Sequence, residues 1–402
     1  MKQPMGWTLK SLEDLATFSQ GIQIDVDKQF NTDNEGYVRF LRISDFVNKE
    51  EIPRYIENPG NKFLVSNDDL SMIRYGSAGA GDLVRGLTGA IANNLFRVIP
   101  NEKEVSKDFL WVYLRQEKIK HFLFGNSTSS TMPAVSFKLV GKVPVQLPPL
   151  TEQKKIAQIL STWDQAIATT ERLLDLARQQ KKALMQQLLT GKRRFPGFDG
   201  EWKTYELSNL FDFKKGKGLS KDALCEDGSK CVLYGELYTK YGEVISSVVS
   251  RTQANDGLPS KTGDILIPSS TTTSGIDLAN ATAILEDDVL LGGDINVLRP
   301  KKKMNAEFMA HLLTHIKKYD IASRAQGITI IHLYGSDLKT ISVRLPDEIE
   351  EQNLIASVLL NSQNEIDNLI SQLDGLKQEK KALMQALLTG KRRVQVAEAE
   401  AA

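Results

Sequence analysis

Apolar side chains recur in steps of four and three along two long stretches of the chain. The first stretch, 151–190, puts Ile156, Leu160, Trp163, Ile167, Thr170, Leu174, Ala177, Lys181, Leu184 and Leu188 in one register. The second, 348–389, does the same with Ile355, Leu359, Ser362, Ile366, Leu369, Leu373, Leu376, Lys380, Leu383 and Leu387. All but two positions of each register are apolar. A repeat held at about 3.5 residues over many turns predicts a coiled-coil seam rather than the broader stripe of a surface helix. Gly191 and Gly390 stand where a C′ glycine closes a helix, and the basic residues after each suit its negative end. At 1.5 Å per residue each helix is a rod of roughly 60 Å.

The two rods end in nearly the same words. Residues 181–194 read KKALMQQLLTGKRR and residues 380–393 read KKALMQALLTGKRR, differing only at Gln187 and Ala386. The chain is therefore a tandem duplication, and the rest of the pattern agrees. Trp7, Leu12, Leu15, Phe18 and Gly21 return 195 residues later as Trp202, Leu207, Leu210, Phe213 and Gly216. Asp69-Leu70 matches Asp264-Ile265 at the same offset, and from Val98 with Val297 onward the offset is 199. A net four residues are thus inserted between Arg74 and Val98 or their counterparts. Spacing is kept while surface letters change, as expected of one fold carrying two different binding surfaces.

Ahead of each rod, at 8–146 and 203–344, the pattern changes to short apolar and β-branched runs broken by Gly, Pro, Asn and Asp. These predict strands at 37–43, 90–99 and 139–147, and at 231–238, 264–268, 289–299 and 340–345. One helix is expected inside each head, at 107–122 and 306–319. The fold class is α+β: two similar heads separated by a long antiparallel coiled coil of two repeat helices, with pseudo-two-fold symmetry. The boundaries follow as a first head at 1–147, a central rod at 148–194, a second head at 195–345, a distal rod at 346–393 and a mobile tail at 394–402. Antiparallel pairing is favoured because each rod leaves its own head and must return near the other. The alternative is that each helix folds back on its own head. Lys181 and Lys380 occupy seam positions that should be apolar; either they reach out to a partner surface or they set the register of the pair.

Composition adds mainly exclusions. The 402 residues carry 51 basic and 50 acidic side chains, a net charge of +1, which neither demands nor forbids nucleic acid, since binding needs only a local basic patch. Two cysteines, Cys225 and Cys231, make neither a disulfide framework nor a four-ligand zinc set. No leader pattern opens the chain and no window of apolar residues is long enough to span a bilayer, so a cytoplasmic setting is expected, with no membrane contact. There is no Walker A loop; the glycines of YGSAGAG at 75–81 read as a turn. His311 and His315 lie four apart on a helix, but no HExxH and no third ligand accompany them, so no metal site is expected. No catalytic constellation stands out, which favours a binder over an enzyme.

Side chains suited to reading base edges and gripping phosphates gather in the loop-like stretches. In the first head these are Arg39, Arg42, Lys62, Arg74, Tyr75, Arg85, Asn93, Asn94, Ser127 and Ser129. In the second they are Lys214, Lys215, Lys217, Tyr234, Tyr238, Ser270, Thr271, Thr272, Thr273, Arg324 and Gln326. Any one of them could equally be a solvated surface residue. The runs NSTSST and SSTTTS could be flexible loops or phosphate contacts. The basic residues at 192–194 and 391–393 could touch DNA or cap the helices. Glu171, Arg172, Arg178 and Gln179 could set rod pairing, dock a partner or simply be solvated.

With these features in hand, the chain resembles the specificity subunit of type I restriction–modification systems. The resemblance rests on LPPLTEQKKIAQIL at 147–160 and LPDEIEEQNLIASVL at 345–359, on the doubled LLTGKRR, and on RFPGFDGEW at 194–202, and it covers essentially the whole chain. The second copy departs at 347–350, where it is longer. The resemblance implies two target recognition domains, each reading one half of an asymmetric, split site on double-stranded DNA, with the rods as a ruler for the spacer. It also implies two methyltransferase subunits that modify adenine at N6 and motor–nuclease subunits that cleave. S-adenosylmethionine, ATP and Mg2+ would then be needed only in those partners, and this chain would be non-catalytic. A reading from a different class is a two-headed coiled-coil adaptor that joins proteins without reading DNA.

Overall fold

The structure, a computed structural model, describes residues 4–48, 50–75, 79–125 and 134–395. It divides into two compact units, Met1–Thr170 with Leu373–Ala402, and Glu171–Gln372. Each unit thus joins one head to half of each long helix, so compactness cuts across the rods rather than at their ends. The long helices are Leu150–Leu188 and Ile349–Leu387. Gly191 and Gly390, both at φ +69°, close them in the left-handed conformation that favours glycine.

Within the first unit, Ile156 and Leu160 from the start of one long helix share a core with Leu387 and Leu388 from the end of the other. Within the second, Leu188 and Leu189 share a core with Ile355 and Leu359. The helices therefore run antiparallel in both units. Both cores also take in the head's own residues, Trp7, Leu12 and Leu15 in one and Trp202, Leu207 and Leu210 in the other. The two readings of the stripe are thus combined, since the seam pairs helix with helix and its outer ends serve as head core. Full burial of such a leucine contributes about 1.5–3 kcal/mol. The remaining seam positions Trp163, Ile167, Leu174, Leu184, Ile366, Leu369, Leu373, Leu376 and Leu383 are buried or half-buried.

The two seam lysines resolve into one device used twice. Lys181 Nζ donates to Gln363 Oε1 at 2.6 Å, and Lys380 Nζ pairs with Asp164. Gln363 is the repeat counterpart of Asp164, as Lys380 is of Lys181. Each lysine thus meets the same partner position on the opposite helix, which supports a register-setting role.

A second repeated device ties each head to the helices. Trp202 Nε1 donates to Glu351 at 3.3 Å, and Arg194 grips both oxygens of that carboxylate. In the first unit Trp7 Nε1 donates to Glu152 at 3.1 Å and Arg393 grips Glu152. Each guanidinium also lies over its tryptophan, 5.9 Å from the ring centroid. The last arginine of each LTGKRR run is therefore a tether between head and long helix. Its charged form is favoured by the carboxylate hydrogen bonds, which raise its pKa.

The heads are built from short strands. In the first, Ala16–Gln20, Leu95–Pro100, Leu70–Ile73 and Leu83–Val84 form one antiparallel sheet in that order. A second sheet runs Arg54–Glu57, Tyr37–Leu41, Gly89–Ile91, Leu64–Val65. In the second head the corresponding sheet runs Phe211–Lys215, Ile295–Pro300, Ile265–Pro268, Thr282–Ile284, Val244–Ile245. Strand register corrects the expected offset: Phe18 lies opposite Val98, and Phe213 opposite Leu298, not Val297. The strand offset is therefore 200, and one residue is removed again before Ser106 and Asn305. Those two share a role, each backbone N–H donating to a glutamine at the start of a long helix, Gln153 or Gln352.

Several expected elements are broken. The run 90–99 is two strands around a turn, and 37–43, 139–147 and 231–238 each mix a short strand with a short helix. Prediction from apolar runs could not separate these, because a helical turn and a strand bury the same residues. The helix expected at 107–122 is two, Lys107–Leu114 and Glu117–Gly125. Its counterpart is Ala306–His311, a π-helical turn Leu312–Ile316, and Lys318–Ala322. Of the tail, only 394 and 395 are described.

Candidate nucleic-acid interface

One end of the main sheet gathers polar side chains in each head. The position is fixed by Gly21 and Gly216, which follow the first strand of that sheet. A Cβ on either would lie 2.1 Å from Ala92 O or 2.0 Å from Gly292 O, so only glycine lets the two backbones approach. Around this point the backbone pattern is the same in both heads. The Arg74 N–H donates to Asn94 O at 2.9 Å, and the Ser269 N–H to Asp294 O at 2.8 Å. The Val135 N–H donates to Arg74 O at 2.8 Å, and the Leu333 N–H to Ser269 O at 2.9 Å.

On this common frame the side chains differ. In the first head, Arg74 donates to Gln20 Oε1 at 3.0 Å, and Gln20 in turn donates to Asn93 O. Tyr75 OH donates to Asn93 Oδ1 at 3.3 Å, and Asn93 Nδ2 donates to Gln23 at 3.1 Å. The buried Asn94 Oδ1 has no partner among the described residues. The set is one guanidinium, a phenol and amides, half-exposed apart from the exposed Gln23. Amides and guanidinium are the groups that make paired hydrogen bonds to adenine and guanine edges.

In the second head the same place holds Lys215 near Asp294 at 3.5 Å, with Ser270 Oγ donating to Asp294 at 3.1 Å. Asn296 is buried and donates to Leu333 O at 2.8 Å. His332 and Tyr334 stack with centroids 6.0 Å apart. A cavity of about 250 Å³ opens here, lined by Lys214, Lys215, Lys339, Asn296, His332 and Tyr334 among others. This set is cationic and aromatic where the first is amide-rich.

The other expected contacts scatter. Arg39 and Arg42 both hold the buried Asp45, and Arg42 also pairs with Glu51 at 2.7 Å, so they lock the short helix Ile43–Val47. Arg85 pairs with Asp108 at 2.7 Å and stacks on Trp111. Lys62 is exposed beside the Phe63 ring. Ser127 and Ser129 lie outside the described residues. Ser270 and Thr271 are buried in a strand paired with Ile331–His332, which removes them from the open loop expected there. Thr272 and Thr273 are exposed, and Thr273 Oγ1 donates to Asp277 at 2.5 Å. Tyr234 and Tyr238 form an exposed edge-on pair, and burial of its hydroxyl raises the Tyr238 pKa. Lys217, Arg324 and Gln326 are exposed, and the Gln326 backbone bridges to His332.

Sequence reading missed Gln20, Gln23, Asp294, Asn296, His332, Tyr334 and Lys339. Part of the signal was available: Gln20 and Lys215 directly precede the paired glycines.

A family model described as the type I restriction modification DNA specificity domain matches residues 4–178 and 199–378. The type I restriction enzyme MjaVIII specificity subunit of Methanocaldococcus jannaschii is 24% identical over 98% of this chain and 95% of its own length. A solved type I restriction–modification S subunit from M. genitalium superposes with a TM-score of 0.61 at 17% identity, covering 99% of this chain and 98% of that one. A second structure, concerned with complex assembly and conformational transition of a type I restriction–modification system, superposes with a TM-score of 0.56 at 18% identity, covering 98% and 100%.

Proposed function

The chain belongs to the family of type I restriction–modification DNA specificity subunits, and from that premise we propose that its two sheet ends each read one half of an asymmetric, bipartite DNA site. The observation that supports this is the pairing of one backbone frame with two unlike side-chain sets. Gln20, Arg74, Tyr75 and Asn93 would read one half, and Lys215, His332, Tyr334 and Lys339 the other. A palindromic site would call for like sets. The antiparallel helices set the distance between the halves, so the spacer length is written in rod length.

The chain also scaffolds its assembly. Two adenine-N6 methyltransferase subunits dock on the duplicated frame and extrude the target base; motor–nuclease subunits complete the complex. S-adenosylmethionine, ATP and Mg2+ act in those partners. A net charge of +1 suffices if partner subunits share the phosphate contacts. The setting is the cytoplasm; among the described residues no helix is long and apolar enough to cross a membrane.

Exchanging residues 8–146 for the first head of another specificity subunit tests the reading, with N6-methyladenine mapped in DNA exposed to the assembled methyltransferase. One half-site should change while the other half and the spacer stay. Change in both halves, or in neither, overturns it. Removing equal turns from both rods should alter the spacer alone.

A further inference from the structure

The second head holds a cluster that DNA reading leaves without a task. His311 and His315 lie on the helical segment 306–316, and Glu243 precedes the strand Val244–Ile245. The fold brings together residues 68 apart in the chain. His315 Nε2 lies 2.6 Å from Glu243 Oε1, and His311 Nδ1 lies 3.9 Å from the same oxygen. One ligand atom from each residue falls within 4.8 Å of the other two. From this geometry we infer that Glu243, His311 and His315 form a binding site for one divalent transition-metal cation of the zinc type.

Three observations carry the inference. First, the His311 side chain is 6% exposed, and its buried Nδ1 has no hydrogen-bond partner among the described residues while facing the carboxylate. A buried polar atom left without a partner is costly, and a metal would satisfy it. Second, the donor set is two imidazoles and a carboxylate, the nitrogen and oxygen ligands zinc takes at about 2.0–2.2 Å. Third, the backbone between the histidines is a π-helical turn, the Lys317 N–H donating to Leu312 O at 3.1 Å. Such turns concentrate at functional sites.

Glu243 also lines a cavity of about 140 Å³ with Tyr238, Tyr241, Asn280 and Thr314, leaving room for water as a fourth ligand. The cation would clamp the segment before Val244–Ile245 to the helical segment. The first head has Val112 and Gln116 where the second has His311 and His315, so the clamp belongs to one head only.

Cobalt(II) titrated into the chelator-treated full-length chain tests this through its ligand-field absorption, with zinc as competitor. One saturable equivalent is expected, displaced by zinc, lost in Glu243→Gln and in His315→Asn, and kept in His121→Ala and Cys225→Ser. His315 is partly exposed, so its variant is informative even if Glu243→Gln weakens the fold. No saturable binding by the unaltered chain, survival in either ligand variant, or loss in Cys225→Ser overturns the inference.

Discussion

The two heads share a scaffold to within a hydrogen bond, yet almost nothing at their sheet ends is the same. Where the backbone must close, the residues repeat: Trp7 and Trp202 on their glutamates, Gly21 and Gly216 against the next loop, Ser106 and Asn305 on their glutamines. At the sheet ends, Arg74 and Tyr75 give way to the buried Ser269 and Ser270, and Asn94 gives way to Asp294. Packing tolerates little change because interiors are close-packed, whereas a surface that only has to recognise can be rewritten without unfolding the protein. The frame and the recognition surface are separable, and that claim can be broken.

The strongest test is in the core. Leu160 and Leu359 are repeat counterparts and both are fully buried. Each substitution by alanine should cost about 2–5 kcal/mol. If the frames are equivalent, the two losses agree closely in chemical denaturation, while a large difference would break the equivalence. The carboxylate tethers should then separate the units. Glu351 is 1% exposed with Arg194 at 24%, whereas Glu152 is 9% exposed with Arg393 at 41%. Removing one partner of a buried pair costs about 3–5 kcal/mol, and less as water reaches the survivor. Glu351→Ala should therefore destabilise more than Glu152→Ala, as read by hydrogen exchange of each unit.

How much of this was legible in the sequence follows from how far apart the cooperating residues lie. The seam was legible because a helix repeats its own face every few residues, so Ile156 to Leu188 announce their burial locally. The strands were less so. The residues around Val98 suggested one offset, and only pairing with Phe18 showed another, because a loop can gain a residue in one place and lose it in the next. The tethering role of Arg194 and Arg393 was hidden, since their carboxylates lie 157 and 241 residues away. Glu243 was missed for the same reason. The Ser269–Ser274 run misled by composition: hydroxyls that look like a loop are partly buried in a paired strand.

A middle-sized effect tests the recognition surface itself. Arg74→Ala should weaken binding by about 1–3 kcal/mol if it reads a base, and only for duplexes carrying the first half-site. Lys215→Ala should act on the second half-site alone. Competition binding by the assembled complex, at fixed salt, with duplexes altered in one half at a time, distinguishes the two. If either variant weakened both halves equally, its side chain would be a phosphate contact, and the division of labour between the heads would need other residues.

The smallest expected effect sharpens the comparison most finely, because it concerns one device built twice with different charge. Lys380 meets the carboxylate of Asp164, while Lys181 meets the neutral amide of Gln363. Asp164 is 36% exposed and Lys380 17%, so their ion pair is open to salt and should contribute no more than about 1 kcal/mol. Raising the ionic strength should therefore narrow the stability gap between Lys380→Leu and the unaltered chain, but leave that of Lys181→Leu nearly unchanged. Gln363→Asp should transfer the salt dependence to the second unit. If both lysines instead set the register, the double leucine variant should also shift the spacing between modified adenines. A spacing that stayed fixed in that variant would leave the lysines as ordinary polar contacts and assign the register to the leucines around them.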